Sequence, residues 1–151
     1  INWNDTNLDE IDIDDFYKKI SFCGTDPFLI KGTLEENLYY GLDKLNNSFE
    51  DYEKLITICD ADFLKNIDLK NKILDDEGLS FSSGQRQKIS LIRALLKKPD
   101  VLILDEATSN IDLISEEKII KNILNIYPNI IIIATTHRPG ILVSDNKIQL
   151  F

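Results

Sequence analysis

Two adjacent carboxylates, Asp105 and Glu106, close the apolar run Val101-Leu102-Ile103-Leu104. Such a run reads as a short strand buried on both faces, and in open α/β sheets ligands collect at the carboxyl ends of strands. Neighbouring carboxylates lose hydration and repel each other unless a cation is near. Magnesium on a phosphate ligand would supply one, with Asp105 on the metal side, directly or through water. Glu106 would then orient and deprotonate an attacking water. Taken alone, the pair is better explained as a solvated strand end. His137, the sole histidine, follows a second apolar run, Ile130 to Ala134, within Thr135-Thr136-His137-Arg138. A lone histidine usually has no catalytic task, but at the end of an adjacent strand it would lie near Glu106. Ser82-Ser83-Gly84-Gln85 opens a long apolar helix. Free amides and the helix dipole make such a terminus an anion site, and Gly84 admits close backbone approach. An ordinary serine N-cap explains the serines equally well, but not Gly84-Gln85.

The elements that must position these groups can be read from periodicity. Ile11 and Ile13 alternate in strand fashion before a short helix near Asp14–Lys19, and Ile20 to Cys23 reads as a brief strand. Thr33-Leu34-Glu35-Glu36 is a capping box that starts a helix running to about Tyr40, with Gly41 as its stop. Asn46-Asn47 marks a loop, Phe49 to Cys59 a second helix, and Asp60 to Asn66 a shorter third. Lys70 to Ser82 has no clean period and reads as a loop. From Ser83 a helix buries Ile89, Ile92 and Leu96, widened by Leu91 and Leu95, until Pro99-Asp100 ends it. Leu113 to Ile126 is helical, with Ile119, Ile120, Ile123 and Leu124 inward. Ile130 to Ala134 is a buried strand, and Ile148 to Phe151 a last one. The expected fold is α/β, a mostly parallel sheet interrupted by a helical insertion over 26–98.

The totals narrow the classes. The chain has 151 residues, 43% hydrophobic and 28% charged, enough for one core. A net charge of −9 and a pI near 4.6 argue against a nucleic-acid grip, which needs a basic stripe. Cys23 and Cys59 are far apart and unpatterned, so buried thiols are expected. The longest apolar run is far too short to span a bilayer.

The order of these motifs resembles ABC ATPases: the turn Phe81-Ser82-Ser83-Gly84-Gln85-Arg86-Gln87 is similar to their signature motif, Val101 to Glu106 to Walker B, Thr108-Ser109-Asn110-Ile111-Asp112 to the D-loop, and His137 to the switch histidine. Asp112 can cap a helix as well. Upstream, Asp26-Pro27-Phe28-Leu29-Ile30 and Gly32-Thr33-Leu34-Glu35-Glu36-Asn37-Leu38 resemble the Q-loop and first helix of the helical subdomain of exporter cassettes, with a flavour of bacterial bacteriocin and lantibiotic exporters. The resemblance implies a P-loop NTPase core over 1–25 and 99–151 and a helical subdomain over 26–98. It implies ATP and magnesium, with Asp105 on the metal, Glu106 and His137 catalytic, and Ser82, Ser83, Gly84, Gln85, Asp112 and Thr25 at the nucleotide. The implied partners are a second cassette, head to tail, and a transmembrane domain against Asp26–Gly41, at the cytoplasmic face of the membrane. A degenerate regulatory module and a soluble ATPase of chromosome maintenance or DNA repair are the alternatives.

Several features depart from that pattern. The sequence contains no Gly-x-x-x-x-Gly-Lys-Ser/Thr loop to cradle phosphates. It begins at Ile1 and has no methionine. The expectation is therefore an excised segment that lacks the loop upstream and a helical region beyond Phe151, with little activity alone, low stability or self-association. Thr25 stands where the Q-loop carries glutamine, Ser83 where the signature carries glycine, and Asn110 where the D-loop favours a small residue.

Overall fold

The computed structural model describes residues 2–3, 6–42, 49–75 and 78–138. A short antiparallel pair, β1 (Asn2–Trp3) and β2 (Thr6–Asn7), precedes helix α1 (Ile13–Lys19) and strand β3 (Ile20–Cys23). The alternation of Ile11 and Ile13 does not make a strand. The Asp12 carboxylate accepts from the amides of Asp14 and Asp15, and this N-cap starts α1 at Ile13. Capping satisfies amides that a helix start leaves free, whereas two isoleucines without a sheet partner gain nothing from extension.

Strand β4 (Gly32–Thr33) leads into α2 (Leu34–Leu38), where the expected capping box is present: Thr33 N donates to Glu36 at 2.8 Å and Glu36 N to Thr33 Oγ1 at 3.1 Å. The Tyr39 amide makes the last helical bond, to the Glu35 carbonyl, and the helix stops short of Tyr40 because Tyr39 leaves helical geometry at φ −98° and ψ 13° and Gly41 turns the chain at φ +74°. Helix α3 (Phe49–Ile58) follows. The third helix expected over Asp60–Asn66 contracts to a single 3-10 turn, Asp62–Leu64, flanked by Asp60 and Asn66 at φ 50° and 68°. The presumed loop before Ser82 contains β5 (Ile73–Leu74), antiparallel to β4 with Thr33 opposite Ile73. A pair of residues is too short to show a period.

Helix α4 (Ser83–Leu96), strand β6 (Val101–Asp105), helix α5 (Leu113–Ile126) and strand β7 (Ile131–Thr135) complete the described chain. The sheet is parallel, in the order β3-β6-β7. Cys23, Leu102 and Leu104 join Ile89, Ile92 and Leu95 of α4 and Ile119, Ile120 and Ile123 of α5 in one core. Ser21 Oγ donates to the Ala94 carbonyl at 2.9 Å, seating α4 on β3. The other face differs from expectation. Register aligns Phe22, Ile103 and Ile133 across the sheet, and Phe22 and Ile133 are 62% and 55% exposed. Among the described residues β7 stands at the edge of the sheet, with Ile132 and Ala134 packed against the core and Ile131 and Ile133 exposed, rather than buried on both faces. The Asn46-Asn47 loop and the strand expected over Ile148–Phe151 lie outside the described residues. No helix among the described residues is long and apolar enough to cross a membrane.

Candidate active site

β6 and β7 run parallel with Asp105 opposite Thr135, so both chains leave the sheet at the same end. Thr135 Oγ1 donates to Asp105 Oδ1 at 2.6 Å. The Glu106 amide donates to Thr135 Oγ1 at 3.1 Å and leans on its carbonyl at 3.3 Å. Glu106 sits at φ 50°, a left-handed conformation that a non-glycine residue seldom adopts. That turn aims its carboxylate at His137, whose Nε2 lies 2.5 Å from Glu106 Oε1. Thr25, at the end of β3, donates its hydroxyl to the Asp105 carbonyl at 3.4 Å. Asp105, Glu106, His137 and Thr25 therefore meet at one end of the sheet. Thr135 holds the carboxylate pair in place.

The helix start behaves differently. Ser82 caps α4: the Gln85 amide donates to Ser82 Oγ at 3.2 Å, and the Ser82 amide to Gln85 Oε1 at 2.9 Å. Gln85 thus completes a capping box. Gly84 also has a local reason, since a Cβ there would stand 2.6 Å from the Asn110 carbonyl oxygen. Ser83 is exposed on the first turn. Asp112 caps α5 by accepting from the Ser115 amide at 2.9 Å. Among the described residues, no hydrogen bond or ion pair joins Ser82–Gln85 or Asp112 to Asp105, Glu106 or His137.

Four residues outside the expected set hold this framework. Gln87, Arg138, Glu116 and Thr108 bind the loop 108–112 to its surroundings. Arg138 donates to the carbonyls of Ile111 at 2.8 Å and Ser109, and pairs with Glu116 Oε2 at 3.0 Å. Glu116 is 3% exposed and also accepts from the Thr108 hydroxyl. Arg138 adjoins His137 in sequence, which was the available signal. Glu116 reads as an ordinary first-turn acid, and nothing in its spacing marks it as buried. A further cluster ties α3, α4 and α5 together. Lys88 Nζ donates to the Asp60 carbonyl and to Ser115 Oγ, both at 2.7 Å, and Ser115 donates to Asp60 Oδ2 at 2.6 Å. Lys118 closes the cluster on Asp60, and with Ser115 and Lys88 holds its carboxyl well below the usual range.

The segment 26–41 is braced from within. Asn37, fully buried, accepts from the Ile30 amide at 2.8 Å and donates to the carbonyls of Ile30 and Thr33. Arg93 of α4 donates to the Phe28 carbonyl at 2.6 Å. Phe28 and Tyr40 remain outward, 63% and 52% exposed, with ring centroids 6.0 Å apart. Cys23 and Cys59 are buried free thiols, as expected; burial pushes the Cys23 thiol up to about 11. No trio of histidine, cysteine and acidic side chains among the described residues could cage a metal. The oxygen donors of Asp105, Glu106 and Thr25 nonetheless suit magnesium, which binds through one or two carboxylates and takes its other ligands from phosphates and water.

An acidic strand end answered by a histidine just beyond the neighbouring strand suits a protein that handles phosphates. The family model for ABC transporter matches residues 1–109, and the chain belongs to that family. It is 35% identical over 145 residues to the lactococcin-A transport/processing ATP-binding protein LcnC of Lactococcus lactis, covering 94% of this chain and 20% of that one. It is 31% identical over 143 residues to a multidrug resistance ABC transporter ATP-binding and permease protein of the same species, covering 93% and 24%. The fold matches that of a bacterial Atm1-family ABC exporter with ATP bound, at TM-score 0.78 and 23% identity, over 88% of this chain and 24% of that one. The chain spans about a quarter of the length of the first curated relatives it matches.

Proposed function

We propose that this chain serves as the ATP-hydrolysing cassette of an exporter, pairing head to tail with a second cassette to drive a transmembrane domain. The observation that carries this reading is the cluster of Asp105, Glu106 and His137 at the open end of the sheet, with Glu106 turned onto His137 at 2.5 Å. In the reaction Asp105 stands on the metal side, fixed by Thr135. Bound magnesium would neutralise charge developing on the phosphates. Glu106 orients the attacking water and takes its proton. His137 bridges Glu106 and the terminal phosphate. The helix start at Ser82–Gln85, unconnected to these groups, is free to meet the nucleotide of the opposite cassette, with Asp112 and the 108–112 loop along the seam. The sequence holds no Gly-x-x-x-x-Gly-Lys-Ser/Thr loop to cradle phosphates, so the chain by itself is expected to be inactive.

In this reading 1–25 and 99–151 form the ATPase core and 26–98 the helical subdomain. The exposed Phe28–Tyr40 pair on a rigidly braced segment supports contact between 26–41 and a membrane domain. A peptide is the cargo we favour, from the likeness of that segment to peptide exporters and from the relative that carries lactococcin-A in its name. The acidic balance disfavours the chromosome-maintenance alternative. The departures at Thr25 and Ser83 favour one other reading, a regulatory cassette that binds ATP with little turnover. Phosphate release by the full-length protein, wild type and Glu106→Gln, tests the choice. The variant is expected to bind ATP and lose turnover by about a hundredfold or more. A wild type that binds ATP without steady release would instead support the regulatory cassette.

A further inference from the structure

Gln87 is only 1% exposed, and its carboxamide is bonded on both sides. Nε2 donates to the Thr25 carbonyl at 3.0 Å and to Ser109 Oγ at 3.2 Å. Oε1 accepts from the Asn110 amide at 2.9 Å. A primary amide carries two donors and one carbonyl acceptor, so one side chain on α4 ties together the end of β3 and the loop between β6 and α5. Thr25 in turn donates to the Asp105 carbonyl at 3.4 Å, which puts the acidic strand end one residue away from this tether. One helical turn earlier, Gly84 leaves room for the same loop, since a Cβ would stand 2.6 Å from the Asn110 carbonyl oxygen.

We propose that Gln87 is a positioning residue for ATP hydrolysis. It sets the D-loop and the Thr25 strand end in a single register against the signature helix, so that a displacement of the segment after Thr25 is felt at the 108–112 loop. The proposal rests on the cassette reading above. Gln87 contacts none of Asp105, Glu106 and His137; it acts through Thr25, Ser109 and Asn110. A mere filler of the core would need its volume, whereas this role needs its donors and its acceptor separately.

That distinction sets the test. Gln87→Glu keeps an acceptor for the Asn110 amide but turns a carboxylate toward the Thr25 carbonyl. Gln87→Ala removes both functions. Amide hydrogen exchange on the full-length chain is followed in peptides covering 24–28 and 108–112, with α3 as the reference. Gln87→Ala is expected to speed exchange by about tenfold or more in both segments, and Gln87→Glu chiefly in 24–28. Steady turnover should show kcat reduced with KM for ATP near wild type, more for alanine than for glutamate. Unchanged exchange in both segments overturns the proposal. So does a uniform rise that includes α3, the mark of general loosening. A wild type without ATPase activity would count against the cassette reading alone, and the exchange pattern would still decide the tether.

Discussion

The carboxyl end of the sheet and the junction behind it are built in opposite ways. His137 is 88% exposed in its side chain, and Glu106 is turned onto it by a left-handed backbone. Behind them Gln87, Thr108, Ser115 and Glu116 are all buried, and each finds its polar partners inside the protein. Exposed polar groups can exchange water for a ligand at little cost, whereas buried ones must be satisfied by the fold itself. The first region is left open for something to bind, and the second fixes loop geometry without any ligand. A substitution at the open end should therefore alter chemistry with little loss of stability. One at the junction should alter stability and loop order together.

The sharpest way to break that contrast is Arg138→Ala. It leaves the Glu116 carboxylate buried with only the Thr108 hydroxyl, and two loop carbonyls lose a donor. Breaking a buried ion pair from one side costs about 3–5 kcal/mol, and a shift near the lower figure is expected in urea unfolding, since the Arg138 side chain is 34% exposed. Adding Glu116→Gln to that variant should recover part of the loss, because the stranded charge is gone. A single variant as stable as wild type would show that the junction is not self-contained.

Gly84→Ala should come next in size. The added Cβ would meet the Asn110 carbonyl oxygen at 2.6 Å, and that oxygen belongs to backbone rather than to a pliable side-chain tip. Overpacking of this kind costs about 1–3 kcal/mol, and the loop 108–112 must shift to relieve it. Faster exchange confined to that loop, with turnover reduced, is the expected result. A neutral effect on both would mean that the loop has room to yield.

The open end was legible in the sequence because its logic is local. An apolar run ending in Asp105-Glu106 makes a strand with acids at its carboxyl end, and a second run before His137 makes the neighbour. Once the two are parallel, the groups must meet. The start of α4 was legible as a cap. The function of Gln85 was not, because a capping box and a nucleotide contact place the same demand on that side chain. Gln87, Glu116 and Arg138 left no readable trace as a set. Helical periodicity says which side of α4 or α5 is buried, but not which loop, some 20 to 60 residues distant, presents its carbonyls there. The exposed face of β7 leaves no trace in the sequence for a related reason. Its isoleucines record a buried strand, and what covers them is decided by elements elsewhere.

The smallest effect, and the most specific, belongs to Asp60. Its carboxylate takes Lys118, Ser115 and Lys88 at the point where α3, α4 and α5 converge. Lys118 first, then Ser115, hold its folded pKa below the ordinary 3.8. A carboxyl depressed in this way adds stability that is complete above its unfolded pKa and is lost as pH falls through the lower folded value. Asp60→Asn isolates that contribution, since asparagine also tolerates the left-handed backbone at φ 50°. At neutral pH the variant should be less stable by about 1 kcal/mol, a modest figure because the first partner, Lys118, reaches solvent with its side chain 57% exposed. The gap between wild type and variant should begin to narrow below 3.8 and close only as pH falls through the much lower folded value, where the wild-type carboxyl takes up its proton. Urea midpoints of both proteins at about pH 7 and about pH 2 read this directly. A gap of the same size at both values would assign the effect of Asp60 to packing rather than charge, and would make this corner of the junction indifferent to acid.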